Sequence, residues 1–379
     1  MSVTTLPAPE QAVILVGFEQ GSSISPAAPL EAREAVLDAV IESCGRFGFS
    51  RVLLLVAGDA SSAAQVAATA EQQSAGRLSL ETIPIPPTGG AEALRSVASQ
   101  LDEWCLLLDG AGYFDANWLD LVSARADGVD VVESLQAVRS GDPAGQVEAG
   151  VYLIRGSVLG RIAAAASWRG ALQQLRAEGR VAGRIQAGTF ISVAAIASDR
   201  ALLQALRRPR RAVFFDRDGT LNFDAGYTHR PDELEFLPGA IAAVKRVNDL
   251  GYFAFLVTNQ AGIAKGHFKE ADMHAFNAHL QRGLRAHGAH LDDIRFCPDH
   301  PDGTVEPYVR LSEFRKPGPG MMLDLMQTWP VVKDGSLVVG DRQSDVDAAI
   351  AAGLHGALYT GGDLDAFLAG QLAALSRGD

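Results

Sequence analysis

The chain has 379 residues, which at the usual ~100–200 residues per domain means two or more domains. Hydrophobic residues make up 47% and charged residues 21%, enough for sizeable cores, and the formal net charge is −12. That acidic balance excludes a general role on nucleic acid, whose phosphate backbone rewards the opposite charge, but local basic residues still bind small anions. Cys44, Cys105 and Cys297 are widely spaced, which is no disulfide framework and fits a reducing compartment. The opening MSVTTLPAPEQ lacks a charged n-region and an apolar h-region, and no apolar run approaches the ~20 residues of a membrane span. The expectation is a soluble, cytoplasmic protein with no membrane or nucleic-acid partner.

In chain order, residues 1–10 read as a loose tail. Ala12–Gly17 is a short apolar strand ending in glycine. Glu31–Phe47 is a helix, with Ala32, Val36, Leu37, Val40 and Ile41 at helical spacing, and Gly48 ends it. Arg51–Ala57 is a second buried strand and Ser61–Gln72 an alanine-rich helix. Leu78–Ile85 alternates weakly and stops at Pro86-Pro87. Gly89-Gly90 opens the helix Ala91–Gln100, and Trp104–Leu108 is a third strand. Val129–Val138 and Glu148–Ile154 are further strands. This β/α alternation predicts a three-layer α/β domain over residues 1–206. Arg207-Arg208-Pro209-Arg210-Arg211 reads as a solvated basic linker at the domain boundary.

The second domain starts at Ala212. The apolar run Ala212–Phe215 is a buried parallel strand that stops at Asp216 and Asp218, followed by Gly219-Thr220. Strand alternation points two carboxylates at i and i+2 to one side, at the strand end where open α/β sheets bind ligands. On these residues alone the pair is either an exposed acidic turn or an oxygen-rich site for a divalent cation. A helix follows at Gly239–Leu250. Tyr252–Val257 is a strand ending at Thr258-Asn259-Gln260, Lys269–Gly288 a long helix, and Ile294–Cys297 a short strand. Residues 298–319 are a proline-rich loop and Gly320–Thr328 a helix. Ser336–Val339 is a strand ending at Gly340-Asp341, Val346–Ala352 a helix, and Ala357–Tyr359 the last strand. Four strands thus end in polar residues that share one crevice.

The first domain resembles the nucleotidyltransferases that make nucleotide-sugars from sugar 1-phosphates. The segments are Ala12–Pro26, Pro87-Thr88-Gly89-Gly90-Ala91, Leu107–Asp115, Glu148–Tyr152 and Gly188–Ser192. The family's opening loop reads Gly-Gly-x-Gly-Thr-Arg; here Gly17–Ser23 has no arginine and carries Glu19. Ala111 and Ser192 stand where the resemblance places two metal aspartates. The implied GT-A-like domain is expected to be noncatalytic, and to scaffold, dimerise or bind a sugar or nucleotide.

The second domain resembles the haloacid dehalogenase superfamily of phosphotransferases. Asp216-x-Asp218-Gly219-Thr220, Thr258, Lys316 within Arg315–Gly320, and Gly340-Asp341-x-x-x-Asp345 match its four motifs in order. The finer resemblance is to the branch that contains heptose bisphosphate and histidinol-phosphate phosphatases, carried also by Gly226-Tyr227-Thr228-His229 and Val257–Gly266. It implies a Rossmann-like fold without a large cap, Mg²⁺ as cofactor and a small sugar phosphate as substrate. It implies Asp216 as nucleophile, Asp218 as general acid–base, and Thr258 and Lys316 at the phosphoryl group. Metal ligands would come from Asp216, Asp341, the main-chain carbonyl of Asp218, and Asp345 through water, unless Asp345 orients Lys316. Asn259, Arg315, Arg342, Tyr227 and His229 are the expected substrate contacts. The branch also carries a structural zinc. Here Asp299, Ser312 and Phe314 stand at three of its four ligand positions, with Cys297 the fourth and His300 out of register, so no structural zinc is expected.

Overall fold

The computed structural model describes residues 8–16, 30–74, 78–85, 90–109, 112–137, 146–160, 168–199, 201–206 and 208–377. The chain divides into two compact units, Met1–Arg208 and Pro209–Asp379. No helix among the described residues is long and apolar enough to cross a membrane.

The first unit runs β1 (Gln11–Val16), α1 (Leu30–Arg46), β2 (Arg51–Ala57), α2 (Ala60–Ser74), β3 (Ser79–Ile85), α3 (Gly90–Ser96), β4 (Trp104–Leu108) and β5 (Gly112–Asp115). It continues with β6 (Val131–Ala137), β7 (Gln146–Arg155), α4 (Trp168–Ala177), β8 (Val181–Gln186), β9 (Thr189–Ser192), α5 (Val193–Ser198) and α6 (Ala201–Leu206). Seven strands form one sheet in the order β3-β2-β1-β4-β7-β6-β8, and β5 pairs with β9 apart from it. Both sheet faces are covered. Ala12, Ile14 and Val16 enter one core with Val52, Leu54 and Val56. Val13 and Leu15 enter a second with Leu53 and Leu55. Strand alternation therefore feeds two cores, which makes the three layers.

Ser192, at one of the expected metal positions, has a different job: its hydroxyl caps α5, accepting from the Ala195 N–H at 3.0 Å. Asp109 is buried, and its main-chain N–H donates to the Gly150 carbonyl. Gly17–Ser23 with Glu19, Pro87-Thr88-Gly89, Ala111 and the side chain of Glu148 lie outside the described residues.

The unit boundary falls inside the basic run, and two of its described arginines are paired. Arg208 pairs with Asp115 of the first unit at 2.7 Å. Arg210 is only 7% exposed and belongs to the second unit, where its guanidinium donates to the Gly251 carbonyl at 3.0 Å. Its main chain bridges to Val331.

The second unit runs β10 (Ala212–Phe215), α7 (Ala240–Asp249), β11 (Phe253–Asn259), α8 (Ala261–Ala264), α9 (Glu270–Arg285), β12 (Asp293–Cys297) and α10 (Gly320–Thr328). Then come β13 (Leu337–Gly340), α11 (Gln343–Ala352), β14 (His355–Leu358) and α12 (Leu364–Arg377). All five strands are parallel, in the order β12-β11-β10-β13-β14. Val213 and Phe215 face one core, Ala212 and Phe214 the other. Strand order reverses between β10 and β13, so a crevice opens at their carboxyl ends, as in other doubly wound sheets. Between Asp218 and β11 the only regular elements are a turn at Pro231–Glu233 and α7. No cap domain is inserted between Asp218 and β11.

Candidate active site

β10 delivers Asp216 to the crevice, and the Asp216 N–H donates to the Val339 carbonyl of β13 at 2.9 Å. The loop before α10 delivers Lys316, which is 4% exposed. Its Nζ lies 2.6 Å from Asp216 Oδ1, 2.6 Å from Asp345 Oδ1 and 2.8 Å from the Val257 carbonyl. Asp345 is 1% exposed, and its other oxygen accepts the Arg342 N–H, closing a capping box at the start of α11. Asp345 thus contacts Lys316 through one oxygen and the start of α11 through the other. Gly219 has φ +80°, and a Cβ there would stand 2.4 Å from Asp341 Oδ2, so the Asp218–Thr220 turn needs glycine.

Two buried carboxylates share one ammonium, which leaves excess negative charge away from water. Burial pushes the Asp216 carboxyl up to about 7, although Lys316 opposes the shift. Burial alone would lower the Lys316 ammonium, but Asp216 and Asp345 outweigh it and hold its pKa above the ordinary value. Burial likewise raises Asp341. Asp341 Oδ1 is buried and has no hydrogen-bond partner. One oxygen from each of Asp216, Asp341 and Asp345 lies within 4.8 Å of the others. Surplus carboxylate charge, an orphaned oxygen and an all-oxygen donor set fit a hard divalent cation such as Mg²⁺. Among the described residues this is the one cluster of three metal-ligating side chains.

A pH dependence follows. Folding raises Asp216 from 3.8 to about 7, so without metal the folded state binds more protons than the unfolded chain between those values. Stability of the metal-free protein should fall as pH rises through that window. A cation requires the ionised carboxylates, so its stabilising effect should grow in the same direction. Melting temperatures of chelator-stripped protein with and without Mg²⁺ test this. A Mg²⁺-induced rise that is larger at pH 5 than at pH 8 would contradict it.

Asp218 meets four donors. Its Oδ1 accepts from Arg217 Nε at 2.9 Å and Asn222 Nδ2 at 3.2 Å. Its Oδ2 accepts from Arg217 Nη2 at 2.9 Å and Gln260 Nε2 at 2.8 Å. Gln260 also donates to Thr258 Oγ1 at 2.8 Å. Sequence reasoning missed Arg217 and Gln260. Alternation along β10 points residue 217 away from the crevice, and its guanidinium holds Asp218 without lining the cavity.

Asp216, Asp218, Thr258, Gln260, Lys316 and Asp345 line a cavity of about 260 Å³, together with Tyr227, Asn259, Lys265, Arg315 and Arg342. Lys265, also missed, donates to the Tyr227 hydroxyl at 3.0 Å. Tyr227 has φ 62° after Gly226 at 99°, a left-handed pair that turns the ring to the cavity mouth. Of the expected substrate contacts, Asn259 lines the cavity and His229 does not. The Asn259 amide is committed to the main chain of Lys316, donating to its carbonyl and accepting from its N–H, both at 3.0 Å. Its side chain therefore fixes the lysine. His229 does not line the cavity: its ring stacks on Phe268 at 4.7 Å, and Nδ1 lies 2.7 Å from the Tyr227 carbonyl. At the positions compared with a zinc site, Asp299 is ion-paired with Arg310 at 2.9 Å, and Cys297 is buried with its thiol raised by desolvation.

Residues 313–373 match the family described as "HAD-hyrolase-like". The D-glycero-beta-D-manno-heptose-1,7-bisphosphate 7-phosphatase of Rhodopseudomonas palustris is 45% identical over 173 residues, 46% of this chain and 95% of that protein. This chain belongs to that family of haloacid-dehalogenase-like phosphatases. It is a phosphoric monoester hydrolase, and the family lies in its C-terminal unit. A crystal structure of D,D-heptose 1.7-bisphosphate phosphatase from B. bronchiseptica, complexed with magnesium and phosphate, is 30% identical and covers 44% of this chain and 97% of its own (TM-score 0.37). A putative glucose-1-phosphate thymidylyltransferase from Bacillus anthracis, in complex with a sucrose, is 14% identical and covers 52% of this chain and 94% of its own (TM-score 0.39).

Proposed function

We propose that the chain is a Mg²⁺-dependent phosphatase that removes the 7-phosphate of D-glycero-D-manno-heptose 1,7-bisphosphate. One observation carries the reading: the buried Asp216–Lys316–Asp345 triad beside Asp341, in a unit 45% identical to a heptose bisphosphate phosphatase over nearly that protein's whole length. Asp216 attacks phosphorus through its free carboxylate oxygen. As the P–O ester bond breaks, Asp218 gives its proton to the departing alkoxide, leaving an aspartyl-phosphate and the sugar alcohol. Asp218 then takes a proton from a water that attacks the phosphoryl group, which returns Asp216 as carboxylate and releases phosphate. Lys316 holds Asp216 in line and faces the phosphoryl oxygens, with the Thr258 hydroxyl beside them. A divalent cation held by Asp216, Asp341 and the main-chain carbonyl of Asp218 would neutralise phosphoryl charge. Lys265, Arg315 and Arg342 at the cavity mouth suit a substrate with a second phosphate.

The N-terminal unit is read as a noncatalytic scaffold or binding domain, and as the surface for any homodimer. Ser192 caps a helix where a metal aspartate would be needed. No structural zinc belongs to the reading, because Asp299 already answers Arg310.

The test is phosphate release from the heptose bisphosphate with Mg²⁺, with histidinol phosphate as comparator. We expect kcat/KM at least about 10-fold higher for the bisphosphate, since a monophosphate leaves the mouth cations unpaired. Equal or reversed preference sinks the substrate assignment. The same protein, given nucleoside triphosphates and heptose 1-phosphate, should release no pyrophosphate, and protein purified without chelator should hold no zinc.

A further inference from the structure

Arg217 is an arginine with no exposed surface, placed between the two aspartates of the crevice. A charge so buried is costly unless it is fully paired. Its guanidinium forks onto the Asp218 carboxylate, with Nε to Oδ1 and Nη2 to Oδ2 both at 2.9 Å. Nη2 also approaches the Thr228 carbonyl at 2.8 Å and Gln260 Oε1 at 3.1 Å, and Nη1 donates to Asn277 Oδ1 at 3.2 Å. The Phe276 ring lies 4.6 Å beneath it. A planar fork matches a carboxylate in two places and so fixes its rotation as well as its position. Gln260 grips Asp218 Oδ2 from the other side at 2.8 Å and is itself 3% exposed. Neither Arg217 nor any of its own partners except Asp218 and Gln260 lines the cavity.

We infer that Arg217 is the positioning residue for Asp218, with Gln260 as the second hold, and that this pair sets the efficiency of proton transfer to the leaving oxygen. The inference rests on the acid–base role given to Asp218 above. It differs from a purely structural role, in which Arg217 only ties the Thr228 loop and α9 to the sheet. A structural defect slows every substrate alike. A misplaced Asp218 slows the first step, release of the alcohol, only for those whose leaving group needs a proton; its base role in the second step is common to all, so the first step is the one that discriminates.

The test uses the full chain with Arg217→Met and Gln260→Met, each alone and combined with Asp218→Asn. Single turnovers are followed on glycerol 2-phosphate, which leaves as a basic alkoxide, and on p-nitrophenyl phosphate, whose phenolate leaves unprotonated. We expect Arg217→Met to slow glycerol release about 100-fold, the lower range of a general-acid contribution, with half-saturation changed by less than about threefold. Release of p-nitrophenol should slow by less than about fivefold, and in the Asp218→Asn background the second change should add less than about threefold. Equal slowing on both esters, or a full second loss in that background, overturns the inference. If Arg217→Met does not fold, Gln260→Met decides: about 10-fold on the alkyl ester alone supports it, and a uniform loss overturns it. Wild-type protein that hydrolyses both esters but not the heptose bisphosphate defeats the substrate assignment and leaves the positioning role standing. Wild-type protein inert on every monoester defeats both.

Discussion

Asp216→Asn is expected to reduce phosphate release at least about 10³-fold, the scale on which removal of a nucleophile acts. The amide has no negative charge to bring to phosphorus and cannot hold a phosphoryl group as an acyl phosphate. Acid-quenched wild type should show a transient phosphoryl mass on the peptide that contains residue 216, and the variant none. The fold should survive. The substituted amide still offers an oxygen to Lys316, and the buried triad becomes one carboxylate against one ammonium. Because burial raises the Asp216 carboxyl to about 7, its removal should also flatten the loss of metal-free stability between pH 4 and pH 7. Turnover above about one per cent of wild type would remove Asp216 from the nucleophile's place.

The framework of the crevice was legible because strand ends are local. Ala212–Phe215 is an uninterrupted apolar run, and β10 has those same limits. Asp216, Lys316, Asp341 and Asp345 meet because the three connections after β10, β12 and β13 leave the carboxyl ends of one sheet, which the spacing of strands and helices implied. Other parts depend on where side chains turn, which no periodicity encodes. Asn259 sits one residue past a threonine aimed at the cavity, yet its amide is claimed by the main chain of Lys316, 57 positions away. Arg217 was invisible because alternation turns it away from the cavity, and its hold on Asp218 is made out of reach of the ligand. Arg210 looked solvated by composition, but its main chain adds a bridge to Val331 and its head caps the Gly251 carbonyl. In the first unit, β8 was missed because Val181–Gln186 includes glycine and arginine and is half-exposed at the sheet edge. The closing helix α12 was missed too. Leu364 and Leu368 are its fully buried anchors, and its pairing with α7 includes the Arg246–Asp365 bridge at 2.6 Å, contacts visible only once both helices are placed.

Lys316→Met should be the most destabilising single change in the second unit as well as an inactivating one. The substitution keeps most of the side-chain volume, so the loss is one of charge. Asp216 and Asp345 would then face each other without the ammonium that now lies 2.6 Å from each. Breaking one side of a buried ion pair costs about 3–5 kcal/mol, because the other side stays buried and unpaired. The cost has a sign with pH. Without Lys316, which now opposes the rise, the folded Asp216 carboxyl sits further above its unfolded value, so stability is retained while it is protonated and lost as pH rises through the folded value. Urea unfolding of the metal-free variant should therefore show a large deficit against wild type at pH 8 and a smaller one at pH 5, where a protonated carboxyl can donate to its neighbour. Activity should fall at least about 10²-fold even where the variant is folded, since a fixed positive donor at the phosphoryl oxygens is gone and Asp216 has lost the group that aims it. A deficit below about 1 kcal/mol at pH 8, or one that does not shrink on acidification, would mean that Lys316 is not the counter-charge of the two aspartates, and the argument that their surplus charge calls for a cation would fall with it.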